Sequence, residues 1–163
     1  MECIIFSDSH GHTRAMRRAL SLHPNADVVF FLGDGLSDLF GLQQEFPAHT
    51  YVCVRGNCDF TGAIYGTPVP KTEEITLMGH KIVLTHGDLY GAKYGEEGLL
   101  NLAKQRNAKI VLFGHTHDPL ERYEEGVWLF NPGSVGEPHG GNCSFGLLTL
   151  NEDSVLFSHG EIE

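Results

Sequence analysis

The stretch CIIFSDSH, residues 3–10, joins an almost unbroken apolar run to a carboxylate and an imidazole. Four consecutive apolar residues are typical of a strand buried on both faces, so we predict a strand from Cys3 to Ser7. Asp8 and His10 then lie directly beyond the carboxyl end of that strand. The same arrangement recurs along the chain, and it decides both the fold and the site that we predict.

Four further apolar runs end in residues of the same chemical types. They are followed by Gly33-Asp34, Gly56-Asn57, His86-Gly87 and Gly114-His115-Thr116-His117. If the strands lie side by side, these ends converge in one cleft. Two aspartates, an asparagine and four histidines are too many ligands for one ion. Carboxylate and imidazole together favour Mn, Ni, Fe, Co or Zn over Mg or Ca, so we predict two divalent transition-metal ions.

The segments between these motifs predict alternating helices and strands, and then hairpins. Helices are expected over 13–22, with Thr13 as the cap, 37–46 and 96–106. Strands are expected over 27–32, 50–54 and 110–113, and a loop over 61–71. Hairpins are expected around Gly79-His80, Glu125-Gly126 and residues 151–153. This order favours two mixed β-sheets packed face to face with helices outside, in one domain over residues 1–163.

The composition limits the partners that we expect. A net charge of −10 argues against nucleic acid or an anionic membrane as the main partner, because both are bound through an excess of Lys and Arg. The four cysteines form no Cys-x-x-Cys pair, and we find neither a targeting segment nor a long apolar run. We therefore expect a cytoplasmic protein that acts on a small molecule, and the sequence leaves open a homo-oligomer.

Taken in order, the five motifs resemble the calcineurin-like metallophosphoesterase superfamily. GNCD at 56–59, THGD at 85–88 and NPGS at 131–134 resemble its small prokaryotic phosphodiesterase branch. The resemblance implies a four-layer αββα sandwich and a metal-dependent phosphoesterase, with a diester preferred to a monoester as substrate. It also implies in-line attack on phosphorus by a metal-bridging hydroxide.

The resemblance further implies which residues hold each ion. One ion would be held by Asp8, His10, Asp34 and His117, and the other by Asp34, Asn57, His86 and His115. Asp34 would bridge the two ions.

Other residues are candidates for contacts with the substrate. Cys58 stands where many superfamily members carry a histidine that assists the leaving group, which makes it a candidate catalytic residue. Arg55 either touches a substrate phosphate or forms a surface salt bridge, and His139 either lines the cleft or faces solvent. Asn57 could contact the substrate as well as a metal. Asp38, near the start of a predicted helix, is interpreted as structural.

Two readings from other classes stay open at this point. The fold also resembles a retromer subunit that serves as a protein-binding platform, so the chain could be a non-catalytic metal-binding scaffold for protein partners. The intact set of seven ligand positions favours catalysis over that reading. A redox sensor built on Cys58 has less support, because no resolving cysteine is evident.

Overall fold

Strand β1 (Glu2–Phe6) runs through the middle of a five-stranded sheet in a computed structural model that describes all residues, 1–163. The order in this sheet is β12-β11-β1-β2-β3. Its other strands are β2 (Val28–Phe31), β3 (Thr50–Cys53), β11 (Cys143–Leu150) and β12 (Val155–Ile162). Strands β1, β2 and β3 are parallel, whereas β11 is antiparallel to β1 and to β12.

The second five-stranded sheet has the order β6-β7-β8-β10-β9. Its strands are β6 (Thr72–Leu77), β7 (His80–Thr85), β8 (Ile110–Leu112), β9 (Pro119–Glu124) and β10 (Val127–Pro132). Strands β7, β8 and β10 are parallel, and the two edge strands are antiparallel to their neighbours. Both sheets are therefore mixed, as the order of predicted elements indicated.

Alternate residues of β1 face two different cores, because side chains alternate across a strand. Ile5 packs with Phe30, Leu84 and Phe130 between the two sheets. Ile4 and Phe6 belong instead to the core beneath two helices, α1 (Arg14–Leu22) and α2 (Leu36–Glu45). On the outer face of the second sheet, α3 (Glu97–Arg106) packs Leu99 and Ala103 against Val111 and Leu129. The expected four-layer αββα sandwich is confirmed.

One hairpin turn differs from the sequence prediction by a single residue. The turn between β6 and β7 is Met78-Gly79, not Gly79-His80, because Leu77 pairs with His80. Met78 and Gly79 have φ angles of 50° and 82°. A two-residue turn of this kind needs positive φ at both positions, and glycine adopts it without steric cost.

Two smaller features also differ from the prediction. The segment 61–71, predicted as loop, contains a short ribbon formed by β4 (Ala63–Ile64) and β5 (Thr67–Pro68). Thr13 does precede α1, but its side chain makes no capping hydrogen bond and instead accepts one from the Arg17 guanidinium. Arg17 also pairs with Glu45, so this threonine serves a surface network.

None of the helices has the length and apolarity that crossing a membrane would require.

The parallel strands place their carboxyl ends, and the loops that follow, at one edge of each sheet. The five motifs that contain the predicted ligands lie in those loops.

Candidate metal centre

Five of the predicted ligands have an unusual backbone conformation. Nine residues other than glycine have positive φ, and five of them are Asp8 (57°), His10 (45°), Asp34 (60°), His115 (68°) and His117 (61°). This left-handed region is sparsely populated by residues with a Cβ, and such outliers cluster at functional sites. The loops turn sharply after each strand, which directs these side chains into one cleft.

Asp8, His10 and His117 form the first cluster of candidate ligand atoms. The Oδ1 atom of Asp8 lies 3.3 Å from Nε2 of His117 and 3.7 Å from Nε2 of His10. The two imidazole Nε2 atoms lie 3.3 Å apart. Three ligand-type atoms that face one point at these distances could hold one ion.

Asp34 lies between this cluster and a second group of ligand atoms. Its Oδ2 is 3.8 Å from His10 Nε2 and 3.3 Å from His86 Nε2. Its Oδ1 accepts a hydrogen bond of 2.8 Å from the backbone N–H of Cys58. One carboxylate oxygen is thereby fixed by the protein, and the other is shared by the two groups of imidazoles.

Two polar atoms in the centre of the site are buried and have no hydrogen-bond partner. They are Asp8 Oδ1 and His86 Nε2, and both side chains are fully buried. An unpaired buried polar atom costs about 1–3 kcal/mol. A cation between these atoms would satisfy both, so the residues present fit a bound metal.

Hydrogen bonds on the far side of three candidate ligands, His86, His117 and Asp8, orient them towards that centre. The Nδ1 atom of His86 lies 2.8 Å from the Leu32 carbonyl, and that of His117 lies 2.6 Å from the Glu137 carbonyl. When Nδ1 carries the proton and donates, Nε2 presents its lone pair to a metal. Asp8 Oδ2 accepts hydrogen bonds from Ser7 Oγ at 2.5 Å and His115 N at 3.0 Å, which leaves Oδ1 for the centre.

The electrostatics keep both carboxylates ionised. Burial opposes ionisation of Asp8, but the nearby His10 and His117 imidazoles outweigh burial and hold the pKa of Asp8 well below the usual value. Burial likewise opposes ionisation of Asp34, and the nearby His86 imidazole outweighs burial and lowers the pKa of Asp34. Anionic carboxylates are the form that binds a cation.

The histidines differ in how readily they give up a proton. Burial lowers the pKa of His115, and neighbouring His86 lowers it further, so its imidazole is neutral and able to bind a metal. Burial also disfavours the charged form of His86, but Asp34 and Asp8 outweigh it and raise the pKa. A metal that binds His86 therefore competes with a proton more strongly than it would at an ordinary histidine.

His115 and Asn57 lie at the margin of the centre. The His115 ring centroid is 5.0 Å from that of His86, which places the two rings edge to face. Asn57 is exposed in the turn after β3, where its side-chain amide donates to Cys58 Sγ at 3.4 Å. The structure thus brings Asp8, His10, Asp34, His86 and His117 together, with His115 beside His86 and the exposed Asn57 beside Cys58.

Cys58 is exposed, but its thiol belongs to the site. Its Sγ lies within 4.8 Å of ligand atoms of His10 and Asp34. Burial and the nearby Asp34 carboxylate raise the pKa of Cys58 to about 11, so the thiol is protonated near neutral pH. A neutral thiol is a weak hydrogen-bond donor.

Arg55 and His139 are the remaining candidates for contact with the substrate. Arg55 forms no ion pair, so the surface salt bridge considered for it is absent. Its side chain is half-buried against Gly62, and its Nε has no partner. His139 is exposed, but it also stacks on His117 with a centroid distance of 5.2 Å and accepts or donates a hydrogen bond with Asp118 at 3.2 Å. His139 therefore faces solvent and also lies beside the candidate ligand His117.

A cavity of about 490 Å³ opens beside the two histidines of the Gly114–His117 motif. Thr116, which separates these histidines, lines it together with Lys93 and His139. Its volume falls within the range of small-molecule sites. None of the seven candidate metal ligands lines the cavity, but Thr116 joins its wall to the loop that carries His115 and His117.

Several residues that support the site were not identified as functional from the sequence. Ser134 donates to the Asp8 carbonyl at 2.7 Å and accepts from the N–H of Glu137 at 2.7 Å. Asn131 donates to the Gly114 carbonyl and to Thr116 Oγ1, each at 3.0 Å. The NPGS motif at 131–134 was the available signal, because it belongs to the resemblance to the superfamily although it contains no predicted ligand.

Comparison with known proteins agrees with this geometry. The family model described as the calcineurin-like phosphoesterase superfamily domain matches residues 1–153, and the chain belongs to this superfamily. The phosphodiesterase YfcE of Escherichia coli is 30% identical over 185 aligned positions, which cover 96% of this chain and 96% of YfcE.

Solved structures share the fold across the whole chain. A predicted phosphoesterase from Streptococcus pneumoniae superposes with a TM-score of 0.80 at 26% identity, covering 98% of this chain and 88% of the other. Vps29 from Entamoeba histolytica, in complex with zinc, has a TM-score of 0.77 at 22% identity and covers 99% of each chain. The protein is a metallophosphoesterase by family, and the fold also occurs in Vps29.

Proposed function

We propose that this protein is a di-metal phosphodiesterase. The observation that carries the proposal is the position of Asp34, whose Oδ2 faces His10 on one side and His86 on the other. In this proposal Asp8, His10, Asp34 and His117 hold one ion. Asp34, Asn57, His86 and His115 hold the second.

Two divalent cations at such a site supply Lewis acidity for the phosphoryl oxygens and activate water as the nucleophile. The residues of the chain fix where that chemistry happens. The carbonyls of Leu32 and Glu137 hold the rings of His86 and His117, so little reorganisation is needed when a phosphate ester arrives. The mixed imidazole and carboxylate set favours Mn, Ni, Fe, Co or Zn.

The choice of a diester rests on the similarity to YfcE and on the leaving-group side of the site. A protonated Cys58 thiol gives weak help to a departing alkoxide. The cavity beside Thr116 has room for the second ester group, which a phosphodiester has and a phosphomonoester lacks.

All four cysteines are free thiols, and we place the protein in the cytoplasm on that ground.

The test is a reconstitution of the chelated protein. After dialysis against a chelator, Mn, Ni or Mg is added back, and hydrolysis of bis(p-nitrophenyl) phosphate and p-nitrophenyl phosphate is measured. We expect two ions per chain by elemental analysis, recovery by Mn or Ni beyond that by Mg, and a larger kcat/KM for the diester. The Asp34→Asn protein should stay inactive at any metal concentration.

Three outcomes would contradict the proposal in whole or in part. Full activity in the presence of chelator would exclude a metal-dependent reaction, and saturation at one ion would exclude the di-metal site. A faster monoester reaction would leave the phosphoesterase assignment standing and overturn the diester preference.

A binding role is the second candidate, and the similarity to Vps29 over 99% of the chain favours it. A scaffold of this kind would bind the ions and hydrolyse neither ester. The reconstitution therefore separates the two candidates in one experiment.

A further inference from the structure

The Asp59 carboxylate accepts hydrogen bonds only from backbone N–H groups. Those groups belong to the loop that carries Asp34, with the start of α2 that follows it, and to the loop that carries Asn57. Its Oδ2 accepts from Asp34 N at 2.7 Å and from Gly56 N at 2.8 Å. Its Oδ1 accepts from Gly35 N and Leu36 N, each at 2.9 Å. One carboxylate thus joins the loop of Asp34, the loop of Asn57 and the first turn of α2.

The two loops that Asp59 joins are in close contact. A Cβ on Gly56 would collide with the Asp34 carboxylate, and one on Gly33 would collide with the backbone of Gly56. Nothing larger than glycine fits at these two positions, so the loops touch directly at the place where Asp59 bonds to both of them. Asp34 and Asn57 are carried by these loops.

Asp38 holds a different ligand loop from the same end of α2. Its Oδ2 accepts from Ser9 Oγ at 2.6 Å and from Gly11 N at 2.8 Å. These residues flank His10, whose φ of 45° is unfavourable without such support. Asp38 therefore fixes the loop that carries Asp8 and His10.

We propose that Asp59 and Asp38 are positioning residues, each of which controls the affinity of a different metal ion. The inference rests on the ligand sets of the proposed function. Asp59 positions Asp34 and Asn57, which are two of four ligands of the ion on the His86 side, whereas it positions only one ligand of the other ion, the shared Asp34. Asp38 positions Asp8 and His10, which are two of four ligands of the ion on the His117 side and none of the other.

The experiment isolates each ion and measures binding of Mn alone, by calorimetric titration and elemental analysis. His117→Ala leaves the ion on the His86 side as the tighter one, and His115→Ala leaves the ion on the His117 side. Asp59→Asn and Asp38→Asn are introduced into each background. Asp153→Asn, an exposed turn residue with the same change of charge, is the control.

We expect Asp59→Asn and Asp38→Asn each to weaken mainly one ion, and a different one. In the His117→Ala background, Asp59→Asn weakens Mn binding by about 10–100-fold, the range for residues that orient ligands, and Asp38→Asn leaves it near the background value. In the His115→Ala background, Asp38→Asn causes the larger loss. Excess Mn restores occupancy in both, which a general loss of structure does not allow.

Equal weakening of both ions by both variants, together with a lower melting temperature, would overturn the inference and make these carboxylates structural only. If Asp59→Asn does not fold, Asp59→Glu, which keeps the charge and moves the oxygens, replaces it with the same expectation. A wild-type protein that binds fewer than two ions would instead refute the proposed function. The two failures are therefore distinguishable.

Discussion

Cys58 stands in the GNCD motif, where the resemblance to the superfamily leads us to expect a histidine, and its surroundings show what a cysteine offers there. Its Sγ lies within 4.8 Å of ligand atoms of His10 and Asp34. With the pKa of the thiol raised to about 11 by burial and by Asp34, Cys58 offers no acidic proton to a leaving group. The rate should then depend strongly on how well the leaving group departs unaided.

Cys58→His should reduce that dependence. We expect kcat/KM for an alkyl diester to rise by about 10²-fold, the lower end of the effect of general-acid catalysis, and that for an aryl diester to change little. The measurement is kcat/KM over a series of diesters with graded leaving-group pKa, for both proteins. Cys58→Ala is the control and should keep the wild-type slope, whereas parallel slopes for wild type and Cys58→His would show that position 58 has no part in leaving-group departure.

The candidate ligands could be proposed from the sequence because each directly follows an apolar run. A strand end is a local feature, and five of these side chains, Asp8, His10, Asp34, His86 and His117, lie together in the structure. Their role as metal ligands stays a prediction, and so does their division between two ions. Asp59 could not be assigned a role in this way, because it acts through bonds to backbone N–H groups that become neighbours only in the folded chain.

At the scale of elements, features that depend on neighbouring residues could be predicted, and features that depend on pairing in the folded chain could not. The hairpin at Glu125-Gly126 was predicted, because the turn residues and the flanking strands are adjacent in sequence. The predicted turn at Gly79-His80 was wrong by one residue, because the pairing of Leu77 with His80 places the turn at Met78-Gly79. The ribbon of β4 and β5 has four residues, too few for any periodic signal.

Two helical glycines give opposite predictions for stability. Gly41 lies inside α2, and an added Cβ meets no atom within 4 Å, so Gly41→Ala should stabilise by about 0.5–1 kcal/mol by reducing the entropy of the unfolded chain. Gly98 lies in the first turn of α3, where a Cβ would collide with the Tyr90 carbonyl. Gly98→Ala should destabilise by about 1–3 kcal/mol, as overpacking does.

Urea unfolding followed by circular dichroism measures both changes. The two substitutions are chemically identical and both lie in helices, so the comparison isolates the effect of available space. Destabilisation by Gly41→Ala would mean that α2 shifts to accommodate its neighbours. No change for Gly98→Ala would mean that the contact between Tyr90 and α3 is loose.

At the scale of the whole molecule, the candidate site lies across the two sheets. Asp8 and Asp34 follow strands of the first sheet, whereas His86 and His117 follow strands of the second. The sheets are otherwise held together by an apolar core that includes Ile5, Phe30 and Phe130 and contains none of the ligands. Bound ions would thus tie together the carboxyl-end loops of the two sheets, while the core keeps the sandwich folded without them.

Removal of metal should therefore lower the melting temperature without unfolding the protein at 25 °C. A ligand present at 100 times its Kd stabilises the folded state by about 2.7 kcal/mol per site, and at this chain length each kcal/mol corresponds to about 2–4 °C. We expect chelation to lower the melting temperature by about 5–10 °C for each ion lost, and to leave the far-ultraviolet circular dichroism spectrum unchanged at 25 °C. Asp34→Asn, which removes the shared carboxylate, should melt at nearly the same temperature with and without chelator. Loss of the spectrum on chelation would show that the ions are required for the sandwich itself, and an unchanged melting temperature would show that they do not link the two sheets.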